Sequence, residues 1–248
     1  MKPKKGNKSK TKQKNISITP DYRLAKILEE PDEKTSPWRI FKILADFISG
    51  YEFLKRYDLA VSIFGSARRG FEDEVYLEAQ KLGHKLAKVG FAVITGGGPG
   101  IMEAANKGAH EAGGKSVGIN IQLPAEQKTN PFVKESIAVN YFFVRKLMLS
   151  FASEVYIFFP GGFGTLDEFF ELITLIQTKK SKPIPIILVN REYWSPLLEW
   201  LRKDVYEKDH AIDKEDMELY RLVDSADEAF QLILKWENNK CSRREIVP

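Results

Sequence analysis

Cysteine is nearly absent from this chain: Cys241 stands alone in 248 residues. No disulfide can form within the chain, which favours a reducing, cytoplasmic setting. Histidine is scarce too. His84, His110 and His210 show no ligand spacing such as H-x-x-x-H, so no metal site is expected. No stretch approaches the ~18 apolar residues of a membrane span. The N-terminal lysines are not followed by the apolar core of a secretory signal, so neither membrane nor secretion is expected.

Acid is missing from the first 20 residues, which hold seven lysines. Setting these aside leaves 31 basic against 34 acidic side chains, so the body carries about −3. The overall +4 and the pI of 8.9 therefore describe a tail, and no nucleic-acid-binding face is expected. That tail is polar and without apolar periodicity, which reads as disorder.

With 43% hydrophobic residues the remainder can bury a large core. Residues 21–57 read as an extension of two helices broken near Pro31 and Pro37, the second placing Ile40, Leu44, Phe47 and Ile48 on one face. From there strands and helices alternate. Strands are expected over 59–65, 91–98, 115–121, 136–142, 154–160, 183–190 and briefly near 220, and helices over 73–90, 100–114, 144–153, 165–180, 193–207 and 225–236. Short strands without polar alternation, separated by helices, predict an α/β fold: a Rossmann-like, doubly wound parallel sheet with helices on both faces. The expected partition is a tail at 1–20, a helical extension at 21–57, a nucleotide-binding catalytic domain at 58–237 and a loose tail at 238–248. No internal repeat is present.

Ligands bind such sheets beyond the carboxyl ends of the strands. Three glycine-bearing turns fall there: GSARRG (65–70), TGGGPG (95–100) and PGGFGT (160–165). The second fails the dinucleotide fingerprint, because Ile101 stands where a glycine belongs and Asn120 and Gln122 stand where a ribose-binding acid is needed. GGKS (113–116) mimics a P-loop ending, but Ala109 replaces the first glycine and a strand follows instead of preceding. No G-x-S-x-G elbow appears. NAD chemistry, ATP hydrolysis and serine hydrolysis all lack their signals.

What remains is Pro160-Gly-Gly-Phe-Gly-Thr-Leu-Asp-Glu168. A strand feeding a glycine turn and then a helix N-terminus is an anion site, since free N–H groups and the helix dipole converge there. Glu168 beside it is a candidate for chemistry on a phosphorylated substrate. Thr165 and Glu168 also fit a capping box, T-x-x-E, in which Glu168 only satisfies a backbone N–H; spacing leaves both readings open. Asp167 reads as a first-turn acid stabilised by the dipole. Arg145 and Lys146 open a helix, where cations oppose the dipole unless an anion lies near. Ser66 and Arg68 fit a phosphate or ribose contact, and Glu103 sits one turn into its helix.

PGGFGTLDE, with GGGPGIMEAAN and the VRK step, resembles the LONELY GUY (LOG) family in a longer bacterial form, over roughly residues 58–208. Its motif PGGxGTxxE is matched at every fixed position. The resemblance implies a cytokinin riboside 5′-monophosphate phosphoribohydrolase, which releases a purine-type base and ribose 5-phosphate. It implies Arg145 and Glu168 as catalytic residues. For the substrate, AMP or a cytokinin riboside monophosphate, it implies Gly161, Gly162, Gly164 and Thr165, the turns at Gly65–Ser66 and Gly97–Gly98, and less directly Lys146 and Glu103. It also implies at least a homodimer and no cofactor. Such proteins have often carried the label lysine decarboxylase, yet no residues here support pyridoxal phosphate chemistry. The alternative is a non-catalytic binder or carrier of a phosphorylated ligand such as molybdenum cofactor, which would not need both Arg145 and Glu168.

Overall fold

The structure, a computed structural model, describes residues 37–122 and 129–244. The expected tail at 1–20 and first helix lie outside them. The chain divides into residues 1–42 and a compact unit, 43–248. Of the first, only 37–42 are described, and they open helix α1 (Pro37–Leu54), with proline at a position where its missing N–H costs nothing.

Among the described residues seven strands build one sheet: β1 (Ala60–Phe64), β2 (Ala92–Thr95), β3 (Ser116–Ile121), β4 (Glu135–Val139), β5 (Val155–Phe158), β6 (Ile186–Val189) and β7 (Tyr220–Val223). Every pairing is parallel, in the order β4-β3-β2-β1-β5-β6-β7. β1, β2, β5 and β6 are buried at every position, so their sequences carry no polar alternation. The chain winds outward from β1 to β4, then returns to lay β5 on the other side of β1. That reversal opens a crevice between the carboxyl ends of β1 and β5.

Helices α2 (Glu74–Lys88), α3 (Ile101–Glu111) and α7 (Ala226–Arg244) cover one face; α4 (Phe142–Phe151), α5 (Phe163–Gln177), α6 (Arg191–Trp200) and the end of α1 cover the other. Strand alternation divides the core between them. Val61, Ile63, Val155 and Ile157 pack under α2 and α3, and Phe64, Tyr156 and Phe158 pack under α4 and α5. α2 and α3 touch through glycine: a Cβ on Gly83 would strike the Ala105 backbone, and one on Gly108 the Gln80 backbone.

Three expectations change. The helix expected over 193–207 is α6 continued as π-helical turns over Leu201–Lys208. The last helix runs to Arg244, beyond the expected end at 236, so the stretch read as loose is largely helical. The apolar face of α1 is split as well. Ile43, Phe47, Phe53 and Leu54 pack on the core, whereas Leu44 and Ile48 stay exposed. Asp46 of α1 accepts the Asn140 backbone N–H (2.8 Å) and its side-chain amide (3.0 Å), fixing the chain just before α4.

Candidate active site

Three turns meet at the crevice, and the backbone stitches them together. Ser66 N–H donates to the Pro160 carbonyl at 3.0 Å, and the Ser66 carbonyl accepts Ile101 N–H at 2.9 Å. The turns after β5, β1 and β2 are thus joined through one residue. Gly65 leaves the space that the Ile101 side chain fills, and Gly100, at φ +71°, approaches the Ser66–Ala67 backbone too closely for a side chain. Ser66 Oγ accepts Arg68 N–H at 3.1 Å, so the hydroxyl braces its own turn.

After β5 the arrangement is different. α5 begins at Phe163 with Gly162 as its cap residue, and no side chain among the described residues caps it. The N–H groups of its first turn are left for a ligand. A Cβ on Gly162 or Gly164 would meet nothing within 4 Å, so this surface is open. Thr165 is buried with its hydroxyl packed where a Gly161 side chain would stand. The Tyr193 hydroxyl donates to the Gly161 carbonyl at 2.5 Å and anchors the turn from α6.

Because α5 starts at Phe163, Thr165 is not a cap and Glu168 lies in the second turn. The capping-box reading is therefore corrected: Glu168 is too far into the helix to reach back to its first N–H groups. Glu168 is half-buried, and its Oε2 is fully buried without a hydrogen-bond partner among the described residues. Burial pushes its carboxyl up to about 7, against the opposing pull of Lys146 and Arg145.

Arg145 is the fourth residue of α4, not its opening one. Its Nε–H donates to the Ile119 carbonyl of β3 at 2.7 Å, and Nη2 donates to the Gly96 carbonyl at 3.1 Å. Two strand-end carbonyls therefore hold the guanidinium, and a Cβ on Gly96 would overlap it. Burial lowers its pKa while Glu168 raises it, so each charge supports the other. Lys146, next along α4, pairs with Asp167 (2.7 Å) and Glu171 (3.0 Å) of α5.

A family model described as "Possible lysine decarboxylase" matches residues 102–233, more than half of the chain. The chain belongs to this family, the LOG family. Over 151 residues it is 32% identical to a rice (Oryza sativa subsp. japonica) protein named probable cytokinin riboside 5′-monophosphate phosphoribohydrolase LOGL5, covering 59% of this chain and 61% of that protein. The match thus spans less than two thirds of that relative. The rice protein named cytokinin riboside 5′-monophosphate phosphoribohydrolase LOG is 29% identical over 181 residues, 71% of this chain and 72% of that one. Among solved structures, the molybdenum cofactor binding protein from the phototrophic bacterium Rippkaea orientalis superposes with a TM-score of 0.53 at 24% identity, over 71% of this chain and 94% of that one. That likeness concerns the fold.

Not every expected residue in this LOG-family chain gathers at the open turn. Gly97 and Gly98 are buried, and Asn130 occupies both carbonyls, through its N–H at 2.9 Å and its side-chain amide at 3.0 Å. Glu103 faces Tyr76 and Lys107; burial raises its carboxyl and Lys107 counters this. Among the described residues no cluster of His, Cys, Asp or Glu could hold a metal ion. Nor is any described helix long and apolar enough to cross a membrane.

Sequence reading missed a buried polar network under the β2 turn. Asn106 Oδ1 accepts from Thr95 Oγ1 (2.6 Å) and Asn130 Nδ2 (3.0 Å), and its own amide donates to Ser116 Oγ (2.9 Å). Thr95 Oγ1 in turn accepts Gly97 N–H at 2.9 Å. The available signal was Asn106 itself, a polar residue on the apolar face of α3.

Proposed function

We propose that the chain hydrolyses the N-glycosidic bond of a purine-type nucleoside 5′-monophosphate, either AMP or a cytokinin riboside monophosphate. The products are the free base and ribose 5-phosphate. One observation carries this reading. An uncapped, open helix N-terminus suited to phosphate lies one turn before a buried, unpartnered carboxyl that an arginine faces. The names of the rice relatives point the same way.

Phosphate at the first turn of α5 would gain the dipole and the free N–H groups of Gly164 and Thr165. Contacts remote from the breaking bond then align the sugar. As C1′–N9 breaks, its electron pair goes to the base and C1′ takes on positive charge. Ionised Glu168 stabilises that charge and accepts a proton from the water whose oxygen bonds to C1′. Arg145 neutralises charge on the departing base, which takes up the proton that Glu168 received from the water. Lys146 supplies a second cation on the substrate side. At least a homodimer is part of the same reading, and a monomer mass in solution scattering would remove it.

The test is to incubate the protein with AMP and isopentenyladenosine monophosphate, each beside its nucleoside, and to assay base and ribose 5-phosphate. Release from the monophosphates alone is expected. Equal turnover of adenosine and AMP would sink the phosphate anchor. Tight binding without release would favour the carrier.

A further inference from the structure

Lys146 acts on three carboxyls of α5, at positions 167, 168 and 171, yet its ammonium forms ion pairs only with the outer two. Neither Glu168 oxygen has an ion pair among the described residues, although Lys146 and Arg145 are the cations that act on it. The two partners differ in exposure: Asp167 is 62% exposed and Glu171 26%. Glu171 Oε2 is buried as Glu168 Oε2 is and makes no hydrogen bond among the described residues, but it lies 3.0 Å from Lys146 Nζ, a charge pair in a setting where screening is weak.

We propose that Glu171, with Asp167, is a positioning residue that draws Lys146 away from Glu168 and so keeps the Glu168 carboxyl unpaired inside the site. This rests on Glu168 being the reacting carboxyl. An acid bonded directly to an ammonium is held ionised well below neutrality and cannot return a proton. A buried carboxyl without a direct partner can both accept and release one near neutral pH. The groups that act on Glu168 are Arg145 and Lys146 from α4, Asp167 from α5 and Tyr156 from β5, and Glu171 of α5 reaches it through Lys146. Tyr156 spends its hydroxyl proton on the Ser150 carbonyl at 2.6 Å and offers Glu168 none. Lys146 is therefore the adjustable group, because Arg145 is fixed by two carbonyls.

The experiment reads Glu168 directly. Full-length protein labelled with ¹³C at glutamate carboxyls is titrated from about pH 3.5 to about pH 9, spanning the ordinary carboxyl range and neutrality. The Glu168 resonance is assigned by its loss in Glu168→Gln. The midpoint is expected to fall by about one unit in Glu171→Gln, as Lys146 moves onto Glu168, and to rise in Lys146→Met. In the Lys146→Met background the Glu171→Gln shift is expected to shrink by at least about half, since the two residues act through one contact. An equal shift in both backgrounds would overturn the proposal, leaving only a through-space charge effect, as would an unmoved midpoint in Glu171→Gln. Should Glu171→Gln fail to fold, Asp167→Asn carries the same two-background comparison. Where a nucleotide is turned over, the acid limb of the rate profile should follow the midpoint. Absence of turnover with every nucleotide counts against the glycosidase reading and leaves the titration result standing.

Discussion

The turns after β2 and β5 look alike in sequence, each crowding three or more glycines between a buried strand and a helix, yet they differ in kind. In the β2 turn the glycines let backbone and side chains close on one another. Gly97, at φ +70°, lies against Asn120, Gly96 lies against the Arg145 guanidinium, and Asn130 takes the carbonyls of Gly97 and Gly98. In the β5 turn Gly162 and Gly164 face open space, and no side chain caps the helix they start. One turn is a scaffold that orients Arg145; the other is a surface left clear. Glycine is required in the first for packing and in the second for access.

Substitutions can break this comparison. The largest effect belongs to the open side. Glu168→Gln should lower kcat by about 10³-fold, within the usual range for a lost general base, with the circular dichroism spectrum unchanged because Glu168 caps nothing. Steady-state kinetics on AMP would show it. On the scaffold side, Asn106→Ala strands the Thr95 hydroxyl and the Asn130 amide, and should cost about 3 kcal/mol in urea unfolding. Gly97→Ala forces a left-handed backbone and displaces Asn120, for about 2 kcal/mol by the same measurement.

Glu168 also makes a pH prediction. Its folded pKa of about 7 lies above the ordinary 4.5, so the folded protein binds the extra proton between those values. Stability therefore falls as pH rises through that window and levels off above it. Glu168→Gln removes the fall, and melting curves should show the variant gaining on the wild type by about 1 kcal/mol between pH 5 and pH 8, allowing for partial exposure. The smallest effect sharpens the comparison. Gly162→Ala should leave stability within about 0.5 kcal/mol of wild type, because nothing lies in the way. It should still weaken AMP binding in calorimetry.

Much of the architecture was legible along the chain. Strands such as Val155–Phe158 have no polar alternation because both their faces are covered, and that pattern identifies a parallel sheet without reference to any contact. The three glycine turns were legible for a related reason: glycine between a strand and a helix marks either close approach or access. Composition could not say which. Nor could it say whether Glu168 caps a helix, since T-x-x-E reads identically whether the helix begins at Phe163 or at Leu166. In the fold the helix starts at Phe163, and the Thr165 side chain packs beside Gly161.

The local pieces follow from residue order alone: the buried strands, the turns between them and the charged residues that follow. How those pieces meet depends on the folded arrangement. Arg145 finds its carbonyls on β3 and the β2 turn, 26 and 49 residues earlier, because the strand order brings those ends beneath α4. Asn130 reaches Asn106 across 24 residues for the same reason. Lys146 meets Asp167 and Glu171 because α4 and α5 lie on one face of the sheet. Hydrogen bonds and charge pairs act over a few ångströms, so partners distant along the chain are set by the fold that brings them together.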